Sequence, residues 1–139
     1  TAYQVVRIEF NGVGLGPRIL AVEDNEINRA VLSRQLDVLG VSYDLAMDGQ
    51  EGFESWKAKE YDLVITDCHM PKMDGFEMTA AIRAEEALRG LPHTPIVAIT
   101  ADVMEVKQEA CIDAGMDGSL SKPVKLDELR RKLVSLLGG

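Results

Sequence analysis

Cysteine is scarce in this 139-residue sequence, with Cys68 and Cys111 the only two. They form no Cys-x-x-Cys pair and have no histidine set nearby, which excludes a Cys/His metal site of the usual spacing. Both are expected to be reduced thiols in a cytoplasmic protein, packed like small apolar residues. Basic residues are in deficit too. Fifteen Lys and Arg stand against 23 Asp and Glu, a net charge of −8. That balance opposes binding to a phosphate backbone, so no nucleic-acid contact is expected of this segment. Long apolar runs are missing as well. None approaches the ~20 residues that span a bilayer, and Thr1 to Gly16 lack the basic start and apolar middle of a secretory signal. No membrane contact is expected of this segment. The sequence starts at Thr1 rather than Met, as a piece of a longer or processed chain would.

What is present is enough apolar residue, 46%, to build the core of one compact domain. The first 17 residues differ from the rest. Tyr3, Val5, Val6, Ile8 and Phe10 would suit a strand, but Asn11 to Pro17 is glycine-rich and closes on proline. Residues 1–17 therefore read as a linker or the tail of a preceding domain, and 18–139 as the folded unit. The glycines do not make a dinucleotide fingerprint, which follows a strand and opens a helix. These precede the first clear strand.

From Arg18 the pattern becomes regular. Ile19-Leu20-Ala21-Val22, Leu63-Val64-Ile65 and Pro95 to Thr100 are short continuous apolar runs, as expected of strands covered on both faces. Val41, Tyr43 and Leu45 alternate with polar residues, as an edge strand does. Between the strands lie helical patterns. Ile27, Val31, Leu32, Leu36 and Leu39 share one side of a helix capped by Asn25 and ended by Gly40. Asp48 caps a second helix carrying Phe53 and Trp56, and Asp74 a third from Gly75 to about Leu88. A fourth is expected from Val103 to Ala114, stopped by Gly115. Gly118 to Ser121 is a brief last strand, followed by a helix built on Leu126, Leu129, Leu133, Leu136 and Leu137. His93 falls in a polar loop and is expected to be solvated. Five strand–helix pairs in strict alternation predict an α/β fold, a parallel sheet with helices on both faces.

In such a sheet, ligands sit beyond the carboxyl ends of the strands. Those ends carry Glu23-Asp24, Asp67, Thr100 and Lys122-Pro123. Each has a plainer use: a loop pair, a helix cap, a β-branched strand residue, a surface lysine. Together they place three carboxylates, a hydroxyl and an ammonium at one edge. Like charges repel there unless a divalent cation intervenes, and an all-oxygen set suits Mg²⁺. Asp67, on the middle strand, is best placed as a nucleophile that forms an acyl phosphate. Lys122 and Thr100 supply charge and a hydroxyl to the phosphoryl oxygens.

These residues resemble the response-regulator receiver family over roughly Arg18 to Leu137. The matching pieces are Val22-Glu23-Asp24-Asn25, Thr66-Asp67-Cys68-His69-Met70-Pro71, Met73-Asp74-Gly75-Phe76, Ala98-Ile99-Thr100-Ala101 and Ser121-Lys122-Pro123. The resemblance implies a flavodoxin-like sheet of five parallel strands in the order 2-1-3-4-5, for which a chemotaxis receiver is a standard example. It implies that Asp67 takes phosphate from a phosphohistidine of a histidine kinase or histidine phosphotransfer domain. It also implies that Asp24, Asp67 and the main-chain carbonyl of His69 ligate Mg²⁺, and that Glu23 holds metal-bound water. The bond before Pro123 is expected to be cis. The stretches Glu23 to Asn28 and Pro95 to Ala101 are most similar to receivers fused to sensor histidine kinases, whose parent chains can be membrane-anchored.

One departure concerns Ser119, where receivers usually carry Tyr or Phe; it puts the aromatic swing of the switch in doubt. His69, two residues after Asp67, is expected to modulate water attack on the phosphorylated state. The sequence leaves other readings open: the receiver of a separate response regulator, a homodimer, an Asp-nucleophile phosphatase of the dehalogenase type, or a docking module that takes no phosphate. The phosphatase family wants a second acid where His69 stands.

Overall fold

The computed structural model describes residues 17–101 and 108–137. The linker expected over 1–17 lies outside them except for Pro17. So do residues 102–107, which hold the start of the helix expected from Val103. Strand and helix alternate along the described chain: β1 (Arg18–Val22), α1 (Glu26–Leu39), β2 (Ser42–Ala46), α2 (Gly49–Ala58), β3 (Leu63–Asp67), α3 (Gly75–Arg89), β4 (Ile96–Thr100), α4 (Gln108–Ala114), β5 (Gly118–Ser121) and α5 (Leu126–Leu137). The strands form one parallel sheet in the order β2-β1-β3-β4-β5.

The continuous apolar runs are explained by two cores, one on each face of the sheet. Side chains alternate along a strand. Ile19 and Ala21 of β1 thus join Ile65, Val97 and Ile99 under the leucines of α1 and α5. Leu20 and Val22 face the other way, with Val64, Ile96 and Ala98 against Trp56, Met78 and Ile82. Each fully buried Leu or Ile contributes roughly 1.5–3 kcal/mol relative to exposure. Helix α2 lies especially close to the sheet. A methyl group added at Gly52 would come within 2.9 Å of Val22 Cγ2 and 2.8 Å of Met78 Sδ.

The helix starts follow the sequence pattern. Asn25 accepts from the Asn28 amide at 3.0 Å and Asp48 from the Glu51 amide at 2.8 Å. Asp74 and Glu77 form a reciprocal capping box. Gly40 ends α1 at φ 77°, in the left-handed region that glycine enters without strain.

The structure differs from the expected core at three apolar positions. Ile27 and Val31 belong to the apolar pattern of α1 but are 75% and 45% exposed, and Leu45 is also exposed. Ile27 and Val31 lie in the first half of α1, beyond the end of β1, and β2 is the sheet edge. His93 is not simply solvated. Its Nε2 lies 2.8 Å from Asp117 Oδ1. That contact belongs to a polar cluster at the amino ends of the strands. Arg83 donates to the Gly115 carbonyl through Nε and Nη2 at 3.0 and 2.8 Å, to Asp117 at 2.9 Å and to Glu86 at 2.8 Å. Glu86 in turn accepts from the Thr94 amide. The cluster ties α3 to the start of β4 and the turn before β5.

Candidate functional site

Chain order reverses at β1. Helix α1 leads to β2 on one side, while α2 crosses back to β3 on the other. The loops above β1 and β3 therefore part and leave a crevice at the carboxyl edge. Glu23 and Asp24 follow β1 directly, and Asp67 closes β3. Carboxylate oxygens of all three lie within 4.8 Å of one another. Glu23 and Asp67 are buried, at 2% and 6% exposure, whereas Asp24 is exposed.

Lys122 reaches in from beyond β5. Its Nζ donates to Asp67 Oδ2 at 3.1 Å and to Glu23 Oε1 at 3.3 Å. Its own amide donates to the Thr100 carbonyl at 2.8 Å, which fixes the turn after β5 to the end of β4. The Lys122–Pro123 bond is cis, as expected. Thr100 is buried at the last position of β4, one residue beyond the Ile99 that pairs with Asp67. His69 lies in the loop after β3 with its side chain exposed. Its amide points at Asp67 Oδ1 at 3.4 Å, and its ring stands edge-on to Phe76.

The electrostatics follow from this crowding. Burial, and then the hydrogen bond and charge of Asp67, push the Glu23 carboxyl from 4.5 up to about 7, against the pull of Asn28 and Lys122. Burial works against the Lys122 ammonium, but the hydrogen bond and charge of Asp67, and then Glu23, outweigh it and raise its pKa. Glu23 Oε2 is buried without a hydrogen-bond partner. A buried carboxylate oxygen left unpaired beside two other acids is what a cation would satisfy. An all-oxygen donor set of this kind fits Mg²⁺ better than a softer metal. Cys68, next to the nucleophile candidate, is fully buried. Burial, followed by Cys111 and nearby acids, pushes its thiol up to about 12, which makes it packing rather than chemistry.

The family model "Response regulator receiver domain" matches residues 19–134. The chain belongs to the response-regulator receiver family. Among curated relatives of this receiver domain, the hybrid signal transduction histidine kinase G of Dictyostelium discoideum is 44% identical over 115 residues, covering 81% of the chain and 3% of the relative. The sensor histidine kinase RcsC of Salmonella typhi is 39% identical over 115 residues, covering 83% of the chain and 12% of the relative. The receiver thus spans only a small part of the curated relatives it matches. Among solved structures, a receiver domain of a Pseudomonas aeruginosa sensor histidine kinase, with magnesium coordinated in its active-site cleft, shares 39% identity at a TM-score of 0.80. The match covers 89% of this chain and 99% of that one. The receiver of Saccharomyces cerevisiae Ssk1, solved with the histidine phosphotransfer protein Ypd1, shares 32% identity at a TM-score of 0.81, covering 90% and 91%.

Two contributors to the receiver site were not visible in the sequence pattern. Arg29 Nη1 donates to the carbonyls of Glu23 at 3.0 Å and Asp24 at 3.3 Å, holding the acidic turn from α1. Its offset of one helical turn from the cap was the available signal. Gly75 donates its amide to the Cys68 carbonyl at 3.0 Å, and a methyl group there would lie 2.3 Å from the Asp67 carbonyl oxygen. Close approach of that kind is not legible from spacing.

Proposed function

We propose that Asp67 is the phosphoacceptor of a phosphorelay. A carboxylate oxygen of Asp67 attacks the phosphorus of a phosphohistidine, the P–N bond breaks as the P–O bond forms, and the imidazole leaves. The observation that carries this reading is the convergence of Glu23, Asp24 and Asp67 within 4.8 Å, with Lys122 bridging two of them. Asp24, Asp67 and the main-chain carbonyl of His69 would hold Mg²⁺, and Glu23 would hold metal-bound water. When bound, Mg²⁺ neutralises charge on the phosphoryl oxygens. The chain's own residues do the rest. Asp67 supplies the nucleophile, Lys122 balances phosphoryl charge, and the Thr100 hydroxyl meets a phosphoryl oxygen.

The donor is a histidine kinase or a histidine phosphotransfer domain. Its docking face on this chain is the first half of α1, where exposed Ile27 and Val31 follow directly on the acidic turn. A cavity of about 110 Å³ lined by Val31, Leu32, Gln35, Pro123 and Val124 lies beside them. The parent is a hybrid sensor histidine kinase in this reading, supported by relatives that carry such names. Two cysteines that stand as thiols support a cytoplasmic setting. The charge of −8 supports a domain that leaves nucleic acid alone.

Incubation with acetyl phosphate and Mg²⁺, read by intact mass, tests the proposal. Wild type should gain one phosphoryl group and Asp67→Asn none. Labelling that persists on Asp67→Asn would overturn it.

A further inference from the structure

We infer that Gly49 is a positioning residue for the loop that follows β3, and through it for the His69 carbonyl. The inference rests on the proposal that this carbonyl ligates Mg²⁺.

Gly49 is the first residue of α2, on the opposite side of the crevice from β5. Amides in the first turn of a helix have no partner within the helix. Gly49 donates its amide to the Met73 carbonyl at 2.9 Å. The approach is too close for any side chain. A methyl group on Gly49 would lie 2.2 Å from the Met73 oxygen and 2.8 Å from its carbonyl carbon. Both are backbone atoms, so no rotamer change relieves the overlap, and either α2 or the loop must move.

The packing decides which. Helix α2 is held one turn further on, where Gly52 packs directly against Val22 and Met78, and Trp56 is buried in the same core. The loop is fixed at its ends, by the Gly75 amide on the Cys68 carbonyl and by the capping box at Asp74. Its middle, from His69 to Lys72, is mostly exposed, and Lys72 already holds φ 68°. The loop is therefore the part that yields, and His69 stands within it, four residues before Met73. Asp48, which caps α2, adds a long ion pair to Lys72 at 3.8 Å from the same side.

The helix thus supplies a fixed donor that sets the height of the metal-binding loop. By linkage the dependence runs both ways, so a metal that holds the loop should also hold the hydrogen bond of Gly49.

Two measurements test this. Calorimetric titration with Mg²⁺ should show Gly49→Ala weakened about tenfold, the scale typical of an outer partner to a metal ligand. Leu39→Ala opens a cavity at the far end of the sheet and lowers stability, but should bind Mg²⁺ as wild type does. Equal affinity of Gly49→Ala and wild type, or equal weakening in Leu39→Ala, would overturn the inference. Amide exchange on the unmutated chain needs no variant to fold. Saturating Mg²⁺ should slow exchange at Gly49, and an unchanged rate there would also overturn it. If wild type itself binds no Mg²⁺, it is the underlying site that fails, a result distinct from either outcome for Gly49.

Discussion

Glu23 carries the sharpest consequence of crowding three acids beneath one lysine. Its carboxyl is ordinary in the unfolded chain and moved up to about 7 in the fold. The folded state therefore binds the proton more tightly, and stability falls as pH rises from about 4.5 through about 7. At about 1.4 kcal/mol per pH unit, the full effect is on the order of 3 kcal/mol as an upper bound. Metal-free Glu23→Gln should accordingly be more stable than wild type at pH 8 and lose that advantage below pH 4.5, as followed by urea unfolding. Mg²⁺ affinity should weaken as pH falls below about 7, because the cation competes with the proton on Glu23. His69 lies at the rim of the same pocket with its ring turned edge-on to Phe76. We propose that its exposed imidazole modulates water attack on the phosphorylated state. His69→Ala should lengthen the lifetime of the phosphorylated state several-fold, and equal rates of phosphate loss would remove this role.

Helices and strands are held in place by contacts with separate purposes at the two ends of the sheet. At the carboxyl ends, caps and close glycine contacts fix the loops that carry the site. At the amino ends, Arg83 joins Glu86 of its own helix to the Gly115 carbonyl and Asp117 in the turn before β5. Glu86 is buried, so loss of the guanidinium leaves its carboxylate without a balancing charge and, among the described residues, with only the Thr94 amide as donor. Arg83→Ala should cost about 2–4 kcal/mol, visible as a lower urea midpoint. Arg83→Lys should recover only part of that, since an ammonium lacks the planar fork that serves several acceptors at once. Phosphorylation at Asp67 should be little changed in either variant where folding is complete, because the cluster lies away from the crevice.

Across the whole molecule, the site joins four strand ends, and a change of charge there has a mechanical route outward. A phosphoryl group adds about −1.5 to −2 charges. Lys122 is already shared between Asp67 and Glu23, and its amide is tied to the end of β4. Phosphate should draw Lys122 and Thr100 inward and carry the loops after β4 and β5 with them. Ser119 stands where receivers usually carry an aromatic, and we propose that the route runs through the backbone and Lys122. Addition of beryllofluoride with Mg²⁺ should shift backbone amides in β5 and the first turn of α5, not only in the pocket. Changes confined to the pocket would exclude this route.

The sequence by itself determined the alternation of elements, the parallel sheet and the residues at its working edge. Those signals are local: strand runs of three to five apolar residues, caps at fixed offsets, and acids placed where strands stop. It also marked the leucines of α1 and α5 as core, which Leu36, Leu39, Leu129 and Leu133 are. Periodicity alone did not reveal that Ile27 and Val31 stay exposed, because it reports a helix face and not what covers that face. Nor did it disclose the pairing of His93 with Asp117, the grip of Arg29 on the acidic turn, or the contact of Gly49 with Met73. Each of those joins segments whose separation is set only when the helices pack onto the sheet. Tertiary structure decided them because a contact of about 3 Å depends on where whole elements sit, and no spacing along the chain encodes that.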